Sequence, residues 1–330
     1  MEFDQYKNIP TSLGGEWEGR EIDPGQFNNA WFDIPYAAQT STQKLDIILP
    51  NEATGPYPVI FYVHGGGWLS GDKRADTMTG IYKAPSWGYA LVAINYRYAS
   101  EAFWPAQIFD AKAALRFIRA HAQNFNLDPN KIIAWGNSAG GHISNMLAAT
   151  GAIGVLEDKY MGNPDQTCEI QGLISWYAPI DMYAIDISDQ LGNGYHPLDP
   201  KHSTDANLTN LDGKLLVPQS CLLGFIPRDF PAASAMASPI EFVNNTFPPA
   251  LYQHGISDAA VPWTQSVSMT RRINDVCGED RASFELFEGE HGSPFIKSDS
   301  NIARCLRFAD EILDISRNKE PSLNFNIAVR

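Results

Sequence analysis

Residues 131–149 read Lys131-Ile132-Ile133-Ala134-Trp135, then Gly136-Asn137-Ser138-Ala139-Gly140, then Gly141-His142-Ile143-Ser144-Asn145-Met146-Leu147-Ala148-Ala149. The first segment is short, apolar and rich in strand formers. The last places Ile143, Met146 and Leu147 on one helical side. A G-x-S-x-G between a buried strand and a helix is the pattern of a nucleophile elbow. Its glycines allow a turn too tight for a Cβ, and the turn lifts Ser138 Oγ above the sheet at a helix N-terminus.

Upstream, Tyr57–Val63 (YPVIFYV) alternates as a strand and runs into His64-Gly65-Gly66-Gly67-Trp68. Three glycines after a buried strand expose backbone N–H groups with no side chain in the way. An acyl-transfer enzyme needs such donors to hold the oxyanion of its tetrahedral intermediate. The expected hole is formed by the N–H groups of Gly66, Gly67 and Ala139, the last being the residue after the nucleophile.

A serine nucleophile needs a base, and the base needs an orienting carboxylate. Asp258 lies on the loop between the strand Pro248–Tyr252 and a helix pattern at Thr264–Val276. His291 follows the alternating strand 282–287 on a Gly-flanked loop. Both fall at a strand's carboxyl end, where a parallel sheet presents its ligand-facing residues. Among the other histidines, His121 lies on a helix, His142 sits inside the elbow helix, and His64 is expected to brace the glycine loop. His254 shares a loop with Asp258 and cannot easily face both it and Ser138. Glu288 and Glu290 are too close in sequence to His291 to reach its Nδ1. Asp181 is the weaker acid because no obvious helix start follows it.

With these residues in place, the chain resembles the hormone-sensitive-lipase-like esterases of the α/β-hydrolase fold, most closely their bacterial dienelactone hydrolase/ferulic acid esterase-like branch. The resemblance rests on His64–Trp68 and Gly136–His142. It extends to Ser100-Glu101-Ala102, Phe103–Gln107 and Asp110–Arg116, and to His254-Gly255, Asp258, Val261-Pro262 and Gln265-Ser266 in the acid loop. It covers about residues 40–315 and fades between 182 and 245. It implies carboxylester hydrolysis by Ser138, Asp258 and His291, with no cofactor. Asn137 stands where such enzymes often carry Asp or Glu; that position supports the elbow and does not react. Within hydrolases, an amidase of arylformamidase type presents a similar loop and elbow. From another class, a non-catalytic ligand-binding protein could use the same scaffold, but the intact Ser/Asp/His set argues against it.

The strand–helix alternation runs from about residue 43 to 315 without a linker, so the reading is one α/β domain over 31–330, preceded by a polar arm at 1–30. Strands are expected near 31–37, 43–50, 57–64, 89–97, 131–136, 172–178, 248–254 and 282–288, giving a mostly parallel sheet of about eight strands. Helices are expected near 75–87, 104–124, 139–150, 263–276 and 300–315, the last capped by Asp299 or Ser300. An insert at 182–245 beside the catalytic face reads as a cap. It holds Asp186, Asp189, Asp199, Asp205 and Asp212 among few large apolar clusters, which argues against a lid that opens on lipid. Trp68, Phe103, Trp104, Trp176 and Tyr177 lie near strand ends, where aromatic side chains line a substrate pocket or fill the core.

Twenty-four Lys and Arg against 38 Asp and Glu give a net charge of −14. That charge disfavours nucleic acid and anionic membranes as partners; the expected ligand is the small ester that the resemblance implies. A homodimer stays open. The polar start Met1-Glu2-Phe3-Asp4-Gln5 lacks the pattern of a leader, so the expected compartment is cytoplasmic. Cys168, Cys221, Cys277 and Cys305 show no C-x-x-C or metal spacing and read as free thiols; no metal site is expected.

Overall fold

The computed structural model describes residues 20–51, 54–190, 217–278, 280–317 and 319–330. The core strands are apolar on both faces, and the two sets of side chains go to different places. In β3 (Tyr57–Val63), Val59, Phe61 and Val63 join one core, while Ile60 and Tyr62 join the other. The same alternation holds in β4 (Ala90–Ile94), with Val92 against Leu91, and in β5 (Leu127–Asn137), with Ala134 against Trp135. A strand buried on both sides needs a helix layer on each.

Those layers are present. Helices α1 (Ala106–Ala120), α2 (Ala139–Thr150) and α6 (Thr264–Cys277) bring Ile108, Met146 and Met269 to the first core. Helix α7 (Asp299–Ile312) and a 3₁₀ segment at Ile81–Trp87 bring Ile302, Leu306 and Trp87 to the second. The remaining strands are β1 (Ala30–Pro35), β2 (Lys44–Ile48), β6 (Gly172–Trp176), β7 (Ala250–Gly255) and β8 (Ala282–Phe287). They complete an eight-stranded sheet in the order β1-β2-β4-β3-β5-β6-β7-β8. The β1–β2 and β2–β4 pairs are antiparallel; every pair from β4 to β8 is parallel. This is the α/β-hydrolase architecture, and it directs the carboxyl ends of β3, β5, β7 and β8 to one edge of the sheet.

Several expected elements differ. The helix expected at 75–87 is two 3₁₀ pieces, Asp76–Met78 and Ile81–Trp87, because Gly80 interrupts the run and Pro85 lacks the N–H that a longer helix requires. The cap of α7 is Ser298, which accepts from the Asn301 N–H, rather than Asp299 or Ser300. Within the insert, α3 (Met182–Gln190), α4 (Pro218–Leu223) and α5 (Pro231–Ala235) had no clear periodic signal. Asp181, read as lacking a following helix, caps α3 through the Ala184 N–H at 2.9 Å. The expected arm falls mostly outside the described residues, as do insert positions 191–216 with Asp199, Asp205 and Asp212. All four cysteines are free thiols.

A buried ionic cluster was not legible beforehand. Lys73 Nζ lies 2.6 Å from Asp33 Oδ1, and Arg74 pairs with both Asp33 and Asp46. The Lys73 N–H donates to Asn95 Oδ1, and Asn95 in turn donates to Asp72, both at 2.7 Å. All of these side chains are buried. The cluster clamps the segment just after the Gly65–Trp68 loop to β1, β2 and the end of β4.

Candidate active site

Ser138 joins β5 to α2 with φ 53° and ψ −124°, a backbone conformation that non-glycine residues rarely adopt. Its N–H is held by the Trp176 carbonyl at 2.9 Å. The flanking glycines are required by close approach. A Cβ at Gly140 would sit 2.0 Å from the Val63 carbonyl oxygen, and one at Gly136 would sit 2.3 Å from that of Gly140. The elbow is therefore wedged against the end of β3, which brings Ser138 beside the glycine loop.

Ser138 Oγ–H donates to His291 Nε2 at 3.0 Å, and His291 Nδ1–H donates to Asp258 Oδ2 at 2.7 Å. The other Asp258 oxygen accepts from the N–H groups of Ala260 and Val261 at 2.9 and 2.8 Å. Burial alone would raise the Asp258 pKa. Hydrogen bonds from His254, His291 and Val261 outweigh it and hold the carboxyl well below its ordinary range. The ring of Tyr177 meets His291 edge-on, centroids 4.5 Å apart, and fixes the imidazole plane. Glu288 and Glu290 are exposed.

His254 is the residue that sequence reasoning undervalued. It does not face Ser138, but its Nε2 lies 3.1 Å from Asp258 Oδ2 and 2.9 Å from the Val261 carbonyl. Its Nδ1 lies 2.8 Å from Ser266 Oγ. Two acceptors around Nε2 require a proton there, so Nδ1 accepts from the serine hydroxyl. The neighbouring Gln265 Oε1 accepts the N–H groups of Ile180 and Asp181, pinning the loop after β6. The spacing of His254, Asp258, Val261 and Gln265-Ser266 was the available signal.

His64 and His142 take structural places. His64 Nδ1–H donates to the Gly65 carbonyl at 2.7 Å and its ring stacks on Tyr96. His142 Nε2 bonds the Ala237 carbonyl at 2.7 Å, tying the elbow helix to the insert. Burial lowers the pKa of both, that of His142 to about 4.

Above Ser138 lies a cavity of about 490 Å³. Its wall includes Gly66, Gly67, Ala139 and His291, and among the described residues no hydrogen bond occupies the N–H groups of Gly66, Gly67 or Ala139. Of the aromatic residues expected there, Trp68 and Tyr177 line it. The others do not. Trp176 is fully buried in the second core, its Nε1–H donating to Gln253. Trp104 packs on His142 and donates to the Met236 carbonyl. Phe103 is 60% exposed and lies over Gly224. Pro218 and Gln219 of the insert, Met78 and Lys297 are among the parts of the wall that sequence reading missed.

A family model described as BD-FAE matches residues 45–273. The chain belongs to the BD-FAE family. The span runs from β2 through the elbow and the Asp258 loop to α6, and stops short of His291. Similar proteins include the probable carboxylic ester hydrolase LipM of Mycobacterium tuberculosis (strain ATCC 25618 / H37Rv), 28% identical over 81% of this chain and 57% of LipM. Esterase LipQ of the same strain is 27% identical over 78% of this chain and 56% of LipQ. The chain thus spans just over half the length of these curated relatives. Among solved structures, a truncated carbohydrate esterase from gut microbiota superposes with a TM-score of 0.71 at 26% identity, covering 91% of this chain and 99% of that one. A thermophilic esterase of Thermogutta terrifontis, at 20% identity and TM-score 0.63 over 90% of this chain and 98% of that one, shares the fold.

Proposed function

We propose that this protein is a serine carboxylesterase that cleaves short-chain acyl esters through an acyl-enzyme. The observation that carries the reading is the unbroken line Ser138 Oγ–His291–Asp258 at 3.0 and 2.7 Å on the wall of a cavity that also holds unoccupied backbone donors. In this reading His291 Nε2 takes the Ser138 proton as Oγ attacks the ester carbonyl. Asp258 holds the tautomer and stabilises the imidazolium, and the N–H groups of Gly66, Gly67 and Ala139 receive the oxyanion. His291 then returns the proton to the departing alkoxide. A water repeats the sequence on the acyl-enzyme, releasing the acid and restoring Ser138.

The substrate class follows from what the cavity can bury. Pro218 stands against Gly67 and, with Gln219, lines the cavity, which supports reading the insert as a cap. Similarity to a carbohydrate esterase supports a sugar or aryl alcohol, with acetyl to butyryl as the acyl group. Each methylene left unburied forfeits up to about 0.8 kcal/mol of binding. Profiling p-nitrophenyl esters from C2 to C12, methyl ferulate, acetylated xylan fragments and N-formylkynurenine tests the reading. Rates should fall steeply between C4 and C8 with no rise above the solubility limit. A maximum at C10 or longer, or a preference for N-formylkynurenine, overturns it.

A further inference from the structure

Lys297 is a cation on the wall of the catalytic cavity that forms no ion pair or hydrogen bond through its Nζ among the described residues. It lines the wall and is half-buried, and among the described residues no carboxylate, carbonyl or hydroxyl lies within hydrogen-bonding distance of its Nζ. Other buried cations are engaged: Lys73, Arg74, Lys83 and Arg97 each meet a carboxylate, and Arg116 and Arg119 donate to backbone carbonyls. A half-buried ammonium that meets no carboxylate stays available to an incoming anionic acceptor. Burial lowers the Lys297 pKa. The one carboxylate that acts against this shift, Asp76, is already bonded to Arg20 at 3.0 Å.

The location fixes which half of the substrate would meet it. A Cβ placed on Gly292, the residue after the base, would lie 3.4 Å from Tyr177 Oη and 3.5 Å from Lys297 Nζ. The phenol and the ammonium therefore flank one spot directly beyond His291, which the absence of a side chain at 292 leaves open. His291 Nε2 delivers the proton to the departing alkoxide, so the alcohol half of an ester leaves past this side. The acyl half would then take the remaining wall, which includes Gly67, Trp68 and Pro218. We infer that Lys297 is a specificity-determining residue whose ammonium receives an anionic group, a carboxylate, on the alcohol portion of the substrate, with Tyr177 Oη as a second polar contact. The inference rests on the esterase reading above and adds the charge of its substrate. A uronate-type carboxylate on a sugar alcohol has the required chemistry, as does an aryl carboxylate.

The test uses 3-acetoxybenzoate and 3-acetoxybenzamide, which differ in charge and little in shape. Hydrolysis of each by the full chain gives acetate and the matching phenol. For the wild type we expect kcat/KM to favour the carboxylate ester, and Lys297→Met to lower the carboxylate-to-amide ratio fivefold or more, with Lys297→Arg retaining most of it. A ratio that moves less than fivefold in Lys297→Met overturns the inference. Binding of the products gives an independent reading. 3-Hydroxybenzoate should bind the wild type at least fivefold more tightly than 3-hydroxybenzamide by calorimetry, and equal binding overturns the proposal even if Lys297→Met does not fold. Failure of the wild type to cleave either ester, or p-nitrophenyl acetate, would instead sink the esterase reading, and the two failures are thereby distinguished.

Discussion

His254 Nε2 stands 3.1 Å from Asp258 Oδ2, the same oxygen that accepts His291 Nδ1–H at 2.7 Å. Asp258 is thus held by two imidazoles, one facing the nucleophile and one facing the protein interior. The inner histidine is fixed by Ser266 and the Val261 carbonyl, so it orients the carboxylate without touching substrate. A hydrogen bond to a charged group contributes about 1.5–3 kcal/mol. His254→Leu should therefore lower kcat about 10- to 100-fold with KM little changed, and His254→Asn should recover part of the loss. A merely structural role would show instead as a lower melting temperature with kcat intact, which steady-state kinetics on the folded variant would reveal.

Ser138→Ala should abolish ester hydrolysis by a factor on the order of 10⁴ or more while leaving the fold intact. Asp258→Asn should cost up to roughly 10⁴ in kcat through loss of the tautomer-fixing acceptor. A fluorophosphonate followed by peptide mapping should label Ser138 alone. Labelling of a different serine, or a benign Asp258→Asn alongside a crippling Glu290→Gln, would reassign the site.

The pH profile separates base from acid. His291 Nε2 must be without a proton to accept that of Ser138, so kcat/KM should fall on acidification. Asp258 is held well below its ordinary value of 3.8 and stays a carboxylate as pH falls toward that value, so it adds no second acidic limb. Two limbs in the wild-type profile would show that the carboxyl titrates within the working range.

Stability should follow pH through the buried histidines. In the folded state burial lowers the His142 pKa to about 4 from 6.5, so between those values the unfolded chain binds more protons. Stability is then full above pH 6.5 and falls as pH drops toward 4, by on the order of 3 kcal/mol from this residue. His64 acts in the same direction. Urea unfolding at pH 4.5 and 7 should show a smaller difference for His142→Gln than for the wild type. Equal differences would assign the effect elsewhere.

Removing one partner from the buried ionic cluster should be costly. Arg74→Met removes one of the two cations that the buried Asp33 and Asp46 carboxylates meet among the described residues, leaving Lys73. A loss of about 3–5 kcal/mol is expected. Activity should fall further than stability alone explains, because the segment so clamped continues from the glycine loop. Chemical denaturation and kcat/KM at low temperature would measure the two separately.

How much of this was legible depended on how local each signal is. The elbow, the glycine loop and the strand-end positions of Asp258 and His291 are set by a few neighbouring residues, and sequence reading placed them. Trp176 was left open between pocket and core because a strand end carries side chains to both sheet faces, and its place in the core is fixed only by the pairing of β6 with β5 and β7. Asp181 gave no helix signal because α3 starts without a periodic apolar run. The Lys73–Asp33–Arg74–Asp46 cluster joins segments distant in sequence, and nothing local marks those four residues as partners. Lys297 reads as an ordinary surface lysine until the turn after His291 is seen to fold back on Tyr177.

The strand order sets unequal neighbours for the members of the triad. Ser138 leaves β5, flanked by β3 and β6 in the middle of the sheet, whereas His291 leaves β8, which among the described residues is paired on one side only. Edge strands open at lower free energy than central ones. Under rising temperature or denaturant the base should therefore drift away while the serine remains seated and the protein still reads as folded. Activity would vanish before the near-ultraviolet circular dichroism changes, and would return on cooling without a refolding lag. The durability of this catalyst would then be governed by the grip of β7 on β8 more than by the depth of its core.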